Sequence, residues 1–192
     1  MTEQTVATTD EMLLELARGG DRSAREELFR RHFDVSYRVA HRLLSHEQDA
    51  LDAVHDGFLK ALSALDTCDG RSGFRAWLLR VVANAALDFG RKRRRRAKLR
   101  LLSFDRGISR DSGFDETDPA RGLEREDLRK TLDAALAQLG SEKRATFVLF
   151  AEAGLSYKEI AECQRVPLGT VMSRISDARR KLQAILEGFD AD

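Results

Sequence analysis

The stretch GLSYKEIAECQRVPLGTVMSRISDARRKL, Gly154 to Leu182, reads as two helices joined by a short turn. Ser156 and Glu159 have the S-x-x-E spacing of a capping box. In that motif the hydroxyl accepts from the backbone N–H three residues on, and the glutamate reaches back to the serine N–H. A helix therefore starts at Ser156, with Ile160 and Ala161 facing inward. Gln164–Val166 make the turn. Pro167 opens the next helix, where its missing N–H is no loss. At about 100° per residue, Val171, Ile175, Ala178 and Leu182 share one face of the second helix and pack on the first. Ser173, Ser176, Asp177 and Arg180 fall opposite. Thr170, Arg174 and Lys181 lie on one flank, Met172 and Arg179 on the other. An apolar seam inward, hydrogen-bonding groups outward and cations toward phosphates is how a helix that enters the DNA major groove divides its surface. An amphipathic pair at a protein interface is the competing reading, because a fold does not fix a function.

Upstream of this pair the helical period runs through most of the chain. Leu13, Leu14, Leu16 and Ala17 form a first apolar stripe, ended by Gly19–Asp21, where Asp21 can cap the next helix. Ala24, Leu28 and Phe29 lead into Phe33, Tyr37, Ala40, Leu43 and Leu44. The period restarts at Ser45–Asp49, and Ala50, Val54, Phe58, Leu62 and Leu65 then share a face. After a turn at Thr67–Gly73 comes FRAWLLRVVANAALDFGRKRRRR, with Phe74, Trp77, Leu78, Val81, Val82, Ala85 and Phe89 as its buried stripe. From about Lys98 to Arg121 the period fades into acidic, Gly/Ser-rich sequence that reads as a linker. Helical signal returns at Leu128, Leu132, Leu136 and Leu139. The expected fold is all-α: two small helical domains on a flexible tether.

The net charge of +1 conceals a strong asymmetry. Residues 1–70 carry 8 Lys/Arg against 14 Asp/Glu, and residues 71–100 carry 11 against 1. Residues 101–127 are acidic again, and the remainder is nearly balanced. Such a local basic patch points to a polyanion at one place and a different partner elsewhere. Cys68 and Cys163 form no CxxC, so neither a disulfide framework nor a zinc site is implied. The four histidines, His32, His41, His46 and His55, are scattered without metal-ligand spacing. No phosphate loop, dinucleotide fingerprint or nucleophile elbow is present, so no catalytic residue, metal or cofactor is expected. The polar start MTEQTVATTD and the lack of a run near 18 apolar residues lead to the expectation of a cytoplasmic protein without membrane insertion.

Three motifs together resemble one family. The stretch from Gly154 to Leu182 is similar to region four of bacterial sigma factors of the extracytoplasmic-function (ECF) group, within the sigma-70 family. DALDAVHDGFLKAL (residues 49–62) and FRAWLLRVVANAALDFGRKRRRR (74–96) resemble region two of the same group. The resemblance runs from about Asp10 to Leu186, in order. It implies a tail over 1–9, region two over 10–97, an acidic linker over 98–122, region four over 123–188 and a tail over 189–192. It implies a subunit that binds the clamp and flap of core RNA polymerase, opens the −10 promoter element and reads the −35 element. An anti-sigma factor wedged between the domains is a further partner seen in many relatives.

The resemblance also assigns residues. Asp49, Asp52, His55 and Asp56 fall on the polymerase-binding face; relatives usually have Gln at the position of His55 and Glu at that of Asp56. Asn84 stands where relatives capture a flipped base, and an amide supplies the paired donor and acceptor that a base edge needs. The competing role for Asn84 is a helix cap. Phe74, beside the turn, is open to stacking on a base, whereas Trp77 reads as core. Arg91, Lys92, Arg93, Arg94 and Arg95 would meet phosphates, giving affinity and salt dependence rather than sequence choice. On the reading helix Met172, Ser173, Ser176 and Asp177 would face bases, Thr170 on the flank would join the −35 contact, and Lys158, Arg174, Arg179 and Arg180 would lie on phosphates. Many relatives are basic at the positions of Met172 and Asp177. A guanine-reading arginine is therefore missing, and Asp177 would accept from a cytosine amino group instead. The alternative is a stand-alone helix-turn-helix regulator, which has no need of the acidic Asp49–Phe58 helix beside the basic one.

Overall fold

Capping and glycine breaks set the helix boundaries. The computed structural model describes residues 8–103 and 131–189. Helix α1 (Asp10–Arg18) is capped by Thr9 and ends at Gly19. Helix α2 (Arg22–Leu44) is capped by Asp21, whose carboxylate accepts from the Ala24 N–H at 2.9 Å, as expected of that residue. Its end is Ser45 in the left-handed conformation. Helix α3 (Glu47–Ser63) leads through a single 3-10 turn (Leu65–Thr67) into α4 (Gly73–Ser103). A helical segment over 131–137, α5, is followed by α6 (Ser141–Ala151), α7 (Tyr157–Gln164) and α8 (Leu168–Phe189). Among the described residues there is no strand.

Helices α1 to α4 form a bundle whose core holds Leu28, Val39, Val54, Leu78, Leu79 and Val82, all nearly inaccessible to solvent. At Gly57 helices α3 and α4 approach each other closely. A Cβ there would lie 3.0 Å from Val82 Cγ2 and 3.1 Å from Val82 Cα. Arg18 ties α1 to the 3-10 turn by donating to the carbonyls of Leu65 and Cys68. His32 Nε2 meets Asp10 Oδ2 at 2.6 Å and holds α1 against α2.

In the second half, α7 begins with a complete capping box, Ser156 Oγ accepting from Glu159 N and Glu159 from Ser156 N. Arg165 then turns left-handed at φ 56°, and Pro167 precedes α8. Val171, Ile175, Ala178 and Leu182 are all buried, as the period required. Val171 and Ile175 share the main core with Ile160 and Cys163 of α7, as expected, but Ala178 and Leu182 pack instead on Leu136 and Leu139, in a small cluster of their own. The two halves also meet each other. Arg75 donates to the carbonyl of Ala153, and Glu152 lies 3.5 Å from both Arg38 and Arg42. Arg42 also meets Asp133 at 3.4 Å.

The structure departs from the sequence reading at several places. Leu16 and Leu62 are exposed, at 50% and 39%, because each bundle face needs fewer apolar residues than the stripe offered. Phe74 is not open: it is 4% exposed, packed between His32, Phe29 and Trp77. Helix α4 runs on through Ser103, past the expected linker start at 98, because no glycine or proline interrupts Arg91–Leu102. The rest of that expected linker, the Leu128 position and most of both tails lie outside the described residues.

Candidate nucleic-acid interface

Helix α4 carries one surface from end to end. Asn84 is exposed in the middle of α4, not at a helix end, so it has no capping role. It lines a crevice of about 460 Å³ with Arg80, Asp88 and Arg91. The opposite wall comes from the second half and includes Glu142, Gln164 and Arg174. Further along, Arg91 pairs with Asp88, and Lys92, Arg94, Arg95 and Arg96 are exposed. Arg93 pairs with Asp49 of α3. That pair joins a residue expected to bind polymerase to one expected to bind phosphate. On the same helix Asp56 pairs with Lys60 at 2.6 Å, while Asp52 and His55 are exposed with no ion-pair partner among the described residues.

The outer face of α8 presents Met172 at 52% exposure, with Ser173 and Ser176 also exposed. Ser173 Oγ donates to the Thr170 carbonyl at 3.0 Å, which fixes its hydroxyl in part. Two residues are less available than the helical wheel implied. Asp177 accepts from Lys143 Nζ at 2.7 Å and from Arg180 at 2.9 Å. Those cations, Lys143 first, hold the Asp177 carboxyl below its usual range. Arg174 is paired with Glu142 and donates to Gln164 Oε1 at 3.3 Å. Arg179 sits 5.0 Å from the centroid of the Phe150 ring, and Lys158 is fully on the surface, 4.0 Å from Glu162. Behind this face Arg144 is buried, and desolvation, then the charge of Arg94, lowers its pKa.

Sequence reasoning missed Glu142, Lys143, Gln164 and Phe150, the partners that hold the α8 cations and acid in place. Their signal is a pairing between separate helices, which no count along one helix can see. Within the described residues no group of His, Cys, Asp or Glu is placed to hold a metal. Nor is any helix there long and apolar enough to cross a membrane.

A helical bundle with an acidic face and a basic helix, followed by a helix-turn-helix, defines a class that known proteins share. Residues 28–96 match the family Sigma-70 region 2, and residues 129–182 match Sigma-70, region 4. The RNA polymerase sigma-H factor of Pseudomonas aeruginosa is 30% identical over 93% of this chain and 94% of its own length. The ECF RNA polymerase sigma factor SigE of Mycolicibacterium smegmatis is 35% identical over 87% of this chain; the match spans 64% of that longer protein. Among solved structures, CnrH in complex with the cytosolic domain of CnrY superposes with a TM-score of 0.68 at 29% identity, covering 93% of this chain and 97% of CnrH. The sigma factor RpoE in complex with the anti-sigma factor NepR from Bartonella quintana gives 0.60 at 25% identity, covering 84% and 96%. The ECF RNA polymerase sigma-E factor of Escherichia coli (strain K12) is 31% identical over 95% of both chains, and this chain belongs to the sigma-70 family, in its ECF group.

Proposed function

We propose that this chain is a promoter-specificity subunit of bacterial RNA polymerase, working in the cytoplasm without catalysis of its own. The observation that carries the reading is the presence, in one chain and in order, of a region 2 bundle and a region 4 helix-turn-helix. Residues 10–97 bind the polymerase clamp and open the −10 element. Residues 98–122 connect, and residues 123–188 read the −35 element and meet the flap. Asp52 and His55, exposed on α3, lead the polymerase contact, with Asp49 and Asp56 beside them. Asn84 receives a flipped base, and the basic run from Arg91 to Arg95 follows the phosphates. The alternative of a stand-alone regulator is not favoured, because it leaves the α3–α4 half without a task.

The contact between the two halves bears on how such a subunit works. Asn84 and Arg174 line one crevice. The −10 and −35 elements are about 25 base pairs apart, roughly 85 Å at 3.4 Å per step. Side chains lining one crevice cannot serve both, so the halves must separate when the protein joins polymerase and promoter. An anti-sigma factor that holds them together would silence the subunit. The solved neighbours were captured with CnrY and with the anti-sigma factor NepR, which supports a partner of that kind here.

The decisive experiment is fluorescence anisotropy of labelled protein titrated with bacterial core RNA polymerase near physiological salt. Saturable submicromolar binding, lost when Asp52 and His55 are both replaced by alanine, is the expected result. Absence of binding, beside a housekeeping sigma factor that binds, would turn the reading toward the stand-alone regulator.

A further inference from the structure

The first turn of α6 reaches across to α8 with two charges of opposite sign. Glu142 pairs with Arg174, and Lys143 pairs with Asp177. The crossed arrangement, Glu142 with Asp177 and Lys143 with Arg174, would set like charges together. The two pairs therefore fix where α8 lies along α6 as well as holding it there.

Asp177 is the point of interest. It stands on the outer side of the reading helix, where a lone carboxylate would repel phosphates. Here it is not alone. Lys143 Nζ occupies Oδ2 at 2.7 Å and Arg180 Nη2 occupies Oδ1 at 2.9 Å. Each carboxylate oxygen has a second lone pair left. The Asp177 side chain remains 38% exposed and Lys143 46%, so the pair lies at the surface and not under it. Ser173 and Ser176 flank it and are exposed. Lys143 comes from another helix, so it supplies a counter-charge without adding bulk to the face of α8.

We propose that Lys143 is a positioning residue for base readout: it fixes the Asp177 carboxylate in one orientation and cancels its charge, so that Asp177 accepts from a cytosine amino group in the −35 element. This rests on the reading of α8 as the −35 helix. Cytosine N4 is the only major-groove donor on its base, and a carboxylate is the side chain suited to it. Lys143 acts through Asp177 and reads no base itself. Its ammonium has two further N–H donors, and its side chain is 46% exposed.

The test assembles full-length wild type, Lys143→Met, Lys143→Arg, Asp177→Asn and Lys143→Met/Asp177→Asn with bacterial core polymerase. Each holoenzyme selects from promoters with a fixed −10 element and a randomised −35 element, and thermal unfolding of each variant controls for folding. Wild type should enrich cytosine at one position, by roughly tenfold or more. Lys143→Met should lower that enrichment about fivefold or more and leave the other positions as they were; Lys143→Arg should restore it. Asp177→Asn should lose the cytosine preference, and adding Lys143→Met to it should change that position no further. A Lys143→Met profile equal to wild type overturns the proposal. So does a uniform loss at every position with a lower unfolding temperature, which would make Lys143 a packing residue only. If wild type enriches no −35 sequence at all, the promoter reading itself fails, and the role of Lys143 falls with it.

Discussion

Replacing Gly57 by alanine should destabilise the bundle, although alanine is the better helix former. In an open helix interior the exchange stabilises by about 1 kcal/mol. At Gly57 the new methyl would lie 3.0 Å from Val82 Cγ2 and 3.1 Å from Val82 Cα. The second contact decides the sign. A side-chain atom can rotate away, but Cα belongs to α4, so the two helices must part by a few tenths of an ångström. Overpacking of this kind costs about 1–3 kcal/mol. The net expectation is a loss of about 1 kcal/mol, read as a lower urea midpoint by circular dichroism at unchanged slope. Gly169→Ala, in α8 with no atom near its Cβ, is the matched control and should be neutral or stabilising by up to about 1 kcal/mol. Should Gly57→Ala stabilise the protein as much as Gly169→Ala does, the close approach of α3 and α4 is not what selects glycine.

Other perturbations separate structure from function. Phe74→Ala should cost about 3–5 kcal/mol in chemical denaturation, since the ring is buried, whereas Asn84→Ala should leave stability within about 0.5 kcal/mol and weaken opening of the −10 element in a permanganate footprint. Ser156→Ala should cost about 1 kcal/mol by removing half of the capping box. Hydrogen bonds from Ser156 lower the Glu159 pKa, so the glutamate's contribution is complete above the unfolded carboxyl pKa and is lost as pH falls through the folded one. A thermal-melt series between about pH 6 and 3 should therefore fall less steeply for Glu159→Gln than for wild type. Glu152→Arg would set three like charges together with Arg38 and Arg42, and a larger radius of gyration by small-angle scattering should report the parted halves. Burial raises the pKa of Cys68 and pushes that of Cys163 up to about 11, so neither thiol should react with Ellman's reagent at about pH 8 until urea is added.

Periodicity and capping made most of the helices legible. The Ser156–Glu159 box, the Asp21 cap and the Val171–Leu182 seam follow from local rules that hold whatever packs nearby. What escaped depends on distant partners. Phe74 sits beside a turn and reads as open, yet Phe29 and His32 of α2 close over it. Leu62 keeps the period of α3, yet it is left 39% exposed. On the reading helix the wheel set Asp177 opposite the seam and Arg174 on its flank, and said nothing of the partners that cover them. Lys143 and Glu142, 34 and 32 residues away in sequence, supply that.

Helix α4 is a single rod of 31 residues, and both kinds of DNA contact proposed for the first half are mounted on it. Asn84 and Arg95 are separated by about 16 Å along the axis at 1.5 Å per residue. That is close to five base steps at 3.4 Å each. A rigid rod works as a ruler: the base that is captured and the phosphates that are gripped keep a fixed offset, whatever the linker or the second half does. Its graduations are coarse. Inserting one residue between the two sites would turn every side chain beyond it by about 100°, away from the DNA, so the offset can change only by whole helical turns. Promoters served by this protein should accordingly tolerate variation in the distance between their two elements far better than any shift within the upstream edge of the −10 element.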